Sequence, residues 1–86
     1  MSELLPEPAE ALDIHEVEDG LVVYDLTSER VHYLNPTASF VFVLCTGEND
    51  AARIAELVAG AWELPGPPVA EVDACLEQLR DEGLIR

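Results

Sequence analysis

The 86-residue sequence contains no lysine, and its four arginines face 18 aspartates and glutamates. At a formal net charge of −14, duplex DNA and anionic membrane surfaces are excluded as partners, because binding to phosphate draws on cations that this chain lacks. Long apolar runs are missing as well. The longest, Phe40 to Cys45, has six residues, against the roughly 18 that a bilayer requires. The opening Met1-Ser2-Glu3-Leu4-Leu5-Pro6-Glu7 has no basic region, so no secretory signal is expected. Cysteine is scarce. Cys45 and Cys75 both lie in apolar stretches and read as small buried hydrophobes in a reducing, cytoplasmic setting, with their oxidation left open. The five glycines are isolated, which excludes a Gly-rich phosphate loop. Ser2, Ser28 and Ser39 lie in no Gly-x-Ser-x-Gly elbow. His15 and His32 have no Cys or His at ligand spacing. No enzyme activity, no metal and no cofactor are expected.

What the sequence does have is a core. Its hydrophobic fraction of 49% is that of a folded protein and not of an acidic tail. The length fits one domain. Residues 1–11, with Pro6 and Pro8, read as a flexible acidic segment, and residues 12–86 as the domain. Leu12, Ile14 and Val17 suggest a first strand. Asp19-Gly20 is a hairpin signal, and Leu21-Val22-Val23-Tyr24-Asp25-Leu26 a second strand. After the turn Thr27-Ser28-Glu29, Val31-His32-Tyr33-Leu34 forms a third.

At Asn35-Pro36 the period changes. Asn is a strong helix cap, and Pro at the first helical position loses nothing, since its missing N–H would have no partner there. A helix is expected over 36–46, stopped by Gly47. Asp50 caps a second helix, with Ala51, Ile54, Ala55, Val58 and Trp62 along one face. Beyond Pro65-Gly66-Pro67-Pro68, a third helix carries Val69, Val72, Leu76 and Leu79 on one stripe. Gly83 stops it, and Leu84 folds back as in a Schellman cap.

The expected fold is therefore α+β. It is winged helix-turn-helix-like, a three-stranded antiparallel sheet followed by three helices (β-β-β-α-α-α). A winged helix suggests DNA, but the last helix turns Glu71, Asp73, Glu77, Asp81 and Glu82 outward with Arg80 as the single cation. A surface of that sign repels phosphate. A winged-helix regulator or a protein–protein adaptor remains as an alternative function.

The segment Val31-His32-Tyr33-Leu34-Asn35-Pro36-Thr37-Ala38 resembles the signature of PqqD-like proteins, or RiPP recognition elements. A strand ends in Leu-Asn, Thr-Ala opens a helix, and Leu44-Cys45-Thr46-Gly47 closes it. Ile54 follows at the family's spacing, and Leu76, Leu79 and Gly83-Leu84-Ile85 match its closing pattern. Asp50 departs from the family's usual Thr, the Pro-rich loop is unusual, and Val43 stands where a polar residue is common. An apolar Val43 suggests either an interface or a single exposed side chain.

The resemblance implies a stand-alone, non-catalytic module. It holds the leader of a ribosomally made precursor peptide and delivers it to a modifying enzyme, either a radical-SAM enzyme, as in PQQ biosynthesis, or a lasso-peptide protease. It implies strand addition to the third strand, beside the third helix. Arg30, Val31, His32 and Tyr33 are the expected pairing edge. Val72, Asp73, Leu76, Glu77 and Arg80 are the expected groove wall, with Val72 and Leu76 equally readable as core. Asp73 and Glu77, one turn apart, would favour a basic leader. An exposed edge strand also pairs with its own twin, so a homodimer through that edge stays open.

Overall fold

Residues 12–34, rich in β-branched and aromatic side chains and broken by two turns, fold as β1 (Leu12–Val17), β2 (Gly20–Asp25) and β3 (Arg30–Leu34). In the computed structural model, which describes residues 5–86, these strands form one antiparallel sheet in the order β1-β2-β3. Three helices follow: α1 (Pro36–Leu44), α2 (Ala51–Ala61) and α3 (Val69–Asp81). The β-β-β-α-α-α order is the one expected.

Register decides which side chains face the helices. Leu21, Val23 and Asp25 of β2 stand opposite Glu16, Ile14 and Leu12 of β1 and opposite Leu34, His32 and Arg30 of β3. Leu21, Val23 and Leu34 are buried, so this is the inner face. Val22, Tyr24, Val31 and Tyr33 occupy the outer face. The β1–β2 turn places Val17 opposite Gly20. Gly20 has φ +151, and a Cβ there would overlap the Leu34 carbonyl oxygen. Glycine is needed because β3 ends against it. In the β2–β3 turn the Asp25 carboxylate accepts hydrogen bonds from the backbone N–H of Thr27 (3.0 Å) and Ser28 (3.3 Å). Hydrogen bonding from Ser28 is the main cause of its lowered pKa.

Asn35 turns the strand into a helix. Its Oδ1 accepts from the Ala38 N–H at 2.8 Å, and Pro36 follows at the first helical position. α1 is apolar on most sides because it lies between elements, packing on β2, β3, α2 and α3. Asp50 caps α2 through the Arg53 N–H at 2.8 Å. α3 ends in the expected Schellman motif: the Gly83 N–H bonds to the Arg80 carbonyl (3.0 Å) and the Leu84 N–H to the Leu79 carbonyl (2.9 Å). Val23, Val41, Cys45, Ile54, Leu79 and Leu84 are the largest fully buried side chains. Trp62 differs from its expected place in the α2 stripe. It is the C-cap of that helix and is 41% exposed, because the helix ends before the last turn of the stripe is complete.

Of the acidic lead-in, residues 1–4 lie outside the described residues. Beyond them, the Pro6 carbonyl accepts from Gly47 N–H, the Glu7 carbonyl from Arg86 N–H, and Ala9 N–H donates to the Leu84 carbonyl. Arg86 also pairs with Glu7 (3.4 Å) and Glu10 (2.8 Å). Chain-distant groups supply these bonds, so local sequence carried no sign of them. Among the described residues, no helix is long and apolar enough to cross a membrane.

Two glycines separate steric overlap from backbone strain. Gly83→Ala meets open space at φ +77 and should cost about 1–2 kcal/mol from the left-handed conformation alone. Gly20→Ala adds overlap with the Leu34 carbonyl and should cost more. Urea unfolding of both variants measures the difference.

Candidate functional site

A strand at the rim of a sheet leaves every second N–H and C=O without a ladder partner. β3 is such a strand. Its neighbour in space is α3, yet no Cα of β3 lies within 8 Å of one in α3. α1 touches both, so the two walls stand on a shared base with a cleft between them.

The cleft has a volume of about 140 Å³ and is lined by Leu34, Ala38, Cys75 and Leu79, with Tyr33, Asn35, Gln78 and Glu82 completing it. Leu34 and Leu79 belong to the core, and Ala38 and Cys75 pack against it, so apolar atoms meet backbone hydrogen-bonding groups here. One polar contact spans the gap: His32 Nδ1 lies 3.6 Å from Glu82 Oε1. The His32 side chain is only 12% exposed, because register turns it to the inner face. Its Nε2 is buried with no hydrogen-bond partner, a state that costs about 1–3 kcal/mol.

The expected edge residues are where the sequence placed them. Arg30, Val31, His32 and Tyr33 all lie on β3. They divide by face: Val31 and Tyr33, each 58% exposed, point outward, and Tyr33 OH donates to the Asp19 carbonyl at 3.0 Å. The α3 residues divide differently. Val72 and Leu76 are buried in the core. Asp73, Leu76, Glu77 and Arg80 line a separate depression with Pro6, Asp50 and Ala51. None of these five lines the cleft beside β3; that side of α3 carries Cys75, Gln78, Leu79 and Glu82. At ~100° per residue, the two sets centre roughly 160° apart on the helix.

The core stripe of Val69, Val72, Leu76 and Leu79 runs between these two flanks, and the packing of α3 on α1 decides which of them meets the sheet. The small apolar Cys75 on the other flank was the one local hint. Among the described residues, no group of three or more His, Cys, Asp or Glu is placed to hold a metal ion.

Both thiols are free. Burial pushes the Cys45 thiol up to about 11, with Cys75 raising it further and Arg80 opposing. Cys75 is raised by burial and then by Glu82. Neither is a thiolate at neutral pH, so neither is an activated nucleophile.

The family described as coenzyme PQQ synthesis protein D (PqqD) matches residues 20–85. No curated protein matches the sequence. Among solved structures, lasso peptide synthetase B1 complexed with the leader peptide superposes with a TM-score of 0.76 at 15% identity, covering 95% of this chain and 98% of the other. At that identity the likeness is one of fold.

The Cys45 thiol gives a pH test. An unfolded chain ionises it near 9.0 and the folded chain near 11. Below 9.0 both states hold the proton. As pH rises from there through 11, only the unfolded state releases it, and stability falls. Urea midpoints measured across this window should decline, and Cys45→Val should flatten that decline.

Proposed function

This chain belongs to the PqqD family, and we propose that it binds the leader segment of a ribosomally made precursor peptide and hands the peptide to a modifying enzyme. The observation that carries the reading is the unpaired β3 edge set beside a small cleft whose lining mixes apolar side chains with a larger share of polar surface. An added strand there draws affinity from main-chain hydrogen bonds, and every second side chain enters the cleft. Arg30, Val31, His32 and Tyr33 supply the pairing edge. Cys75, Gln78 and Glu82 supply the facing wall, in place of Asp73, Glu77 and Arg80.

Specificity follows from the same groups. Leu34, Ala38 and Leu79 accept a medium apolar side chain. His32 Nε2, buried without a hydrogen-bond partner, gains one when a bound peptide shifts the ring. The net charge of −14 favours a basic leader and speeds its encounter. The protein performs no chemistry of its own. It raises the effective concentration of substrate at the enzyme, which is of radical-SAM or leader-protease type. A second copy pairing at the same edge would compete with the peptide.

The test is a titration of a labelled leader peptide from a neighbouring short reading frame, followed by anisotropy. Single N-methylation along the peptide should weaken binding at alternate positions, since only every second peptide N–H faces β3. Uniform tolerance of N-methylation would overturn strand addition. Gln78→Lys and Glu82→Lys should each weaken a basic leader about 5–10-fold, whereas Asp73→Lys should change only the salt-dependent part. No binding by any leader, with the chain folded, would overturn the function.

A further inference from the structure

A second concavity lies away from the cleft, where the β1–β2 turn meets α1 and the end of α2. It encloses about 680 Å³, and Val17, Phe40, Val43 and Trp62 form its apolar part. Trp62 stands edge-on to Phe40, with ring centroids 5.1 Å apart. Val43 is 59% exposed, and with Val17 and Trp62 it makes three large apolar side chains left in water within one depression. Hydrophobic surface gathered in this way marks contact sites.

The rim is acidic. Glu16, Glu18 and Asp19 line it, and none of the ion pairs among the described residues includes them. No arginine lines it: Arg53 pairs with Glu56, and Arg86 with Glu7 and Glu10. An apolar floor under three uncompensated carboxylates selects a cationic occupant. A second copy of this chain, itself at −14, would set carboxylates against carboxylates. The concavity shares no residue with the cleft, and α1 stands between them, turning Ala38 to one side and Phe40 and Val43 to the other. The two linings touch through Tyr33 OH on the Asp19 carbonyl and Ser39 Oγ on the Leu34 carbonyl, but they open as separate surfaces.

We propose that this concavity is the docking site for the modifying enzyme, which presents to it an apolar side chain flanked by lysine or arginine. The inference rests on the carrier reading above and gives that reading its second face. The leader lies along β3 while the enzyme grips the opposite side of α1. Peptide and enzyme are then held together without competing for surface.

Trp62, the one tryptophan of the chain, reports on occupancy. A tryptophan-free peptide of alternating leucine and lysine serves as the defined probe, with a leucine–glutamate peptide as control. The basic peptide should shift Trp62 emission to the blue, less so at high salt, and the acidic one should leave it unchanged. Val43→Asp and the Glu16→Lys/Glu18→Lys pair change exposed positions, and a thermal melt checks that each folds. Each should weaken the basic peptide and the modifying enzyme at least about tenfold, while leader affinity, measured at salt high enough to screen the change in net charge, stays within about twofold. Unchanged enzyme affinity in both variants would overturn the proposal. So would leader affinity falling in step with enzyme affinity, or loss of a wild-type dimer in sedimentation with enzyme binding intact. Wild-type protein that binds enzyme but no leader would instead overturn the carrier reading.

Discussion

The joint between β3 and α1 positions everything else. At Leu34 the strand ends, and its carbonyl accepts a hydrogen bond from Ser39 Oγ at 2.9 Å. That hydroxyl is buried, so the bond satisfies a donor that would otherwise be stranded in the core. The same carbonyl lies where Gly20 would carry a Cβ, which brings the first hairpin against the start of α1. One residue later Asn35 caps the helix. These three features together set the angle at which α1 leaves the sheet. That angle in turn sets the gap between β3 and α3.

Once α1 is placed, its two sides acquire different roles. One forms the base of the β3–α3 cleft, with Ala38 between Leu34 and Leu79. The other backs the acidic concavity under the β1–β2 turn, with Phe40 and Val43. A nine-residue helix thus separates two surfaces of different chemistry: an unpaired backbone edge beside a small cleft of mixed lining, and an apolar floor beneath carboxylates. A protein that tethers one molecule to another needs two surfaces that do not compete. A fold this small provides them by putting its most apolar helix in the middle.

Much of the fold was legible because local physics dictated it. Asn35-Pro36, Asp50 and Gly83-Leu84 are capping signals whose hydrogen bonds appear at the expected atoms. The inner face of the sheet, with Leu21, Val23, His32 and Leu34, emerged only from the strand register. On the β3 side of the candidate site, Arg30–Tyr33, named because the resemblance implies addition to the third strand, lie on a rim strand of the sheet. The α3 side was not legible. The core stripe of Val69, Val72, Leu76 and Leu79 has two polar flanks, and composition does not rank them. Asp73 and Glu77 drew attention by their charge, whereas Cys75, Gln78 and Glu82 are the residues beside β3.

By itself, then, the sequence determined the elements, their order, their ends and the sign of the surface. Capping, alternation, helical period and net charge act over a few residues or over the whole composition, and both are visible in one dimension. Tertiary structure alone decided which flank of α3 faces the sheet. It also decided that His32 lies 3.6 Å from Glu82 with Nε2 orphaned, and that Pro6–Ala9 hydrogen bonds to residues 47 and 84–86. Each of these joins groups far apart in the chain, and their meeting depends on the angle at which helices pack. A shift of one residue in that packing turns α3 by ~100° and exchanges one set of neighbours for another.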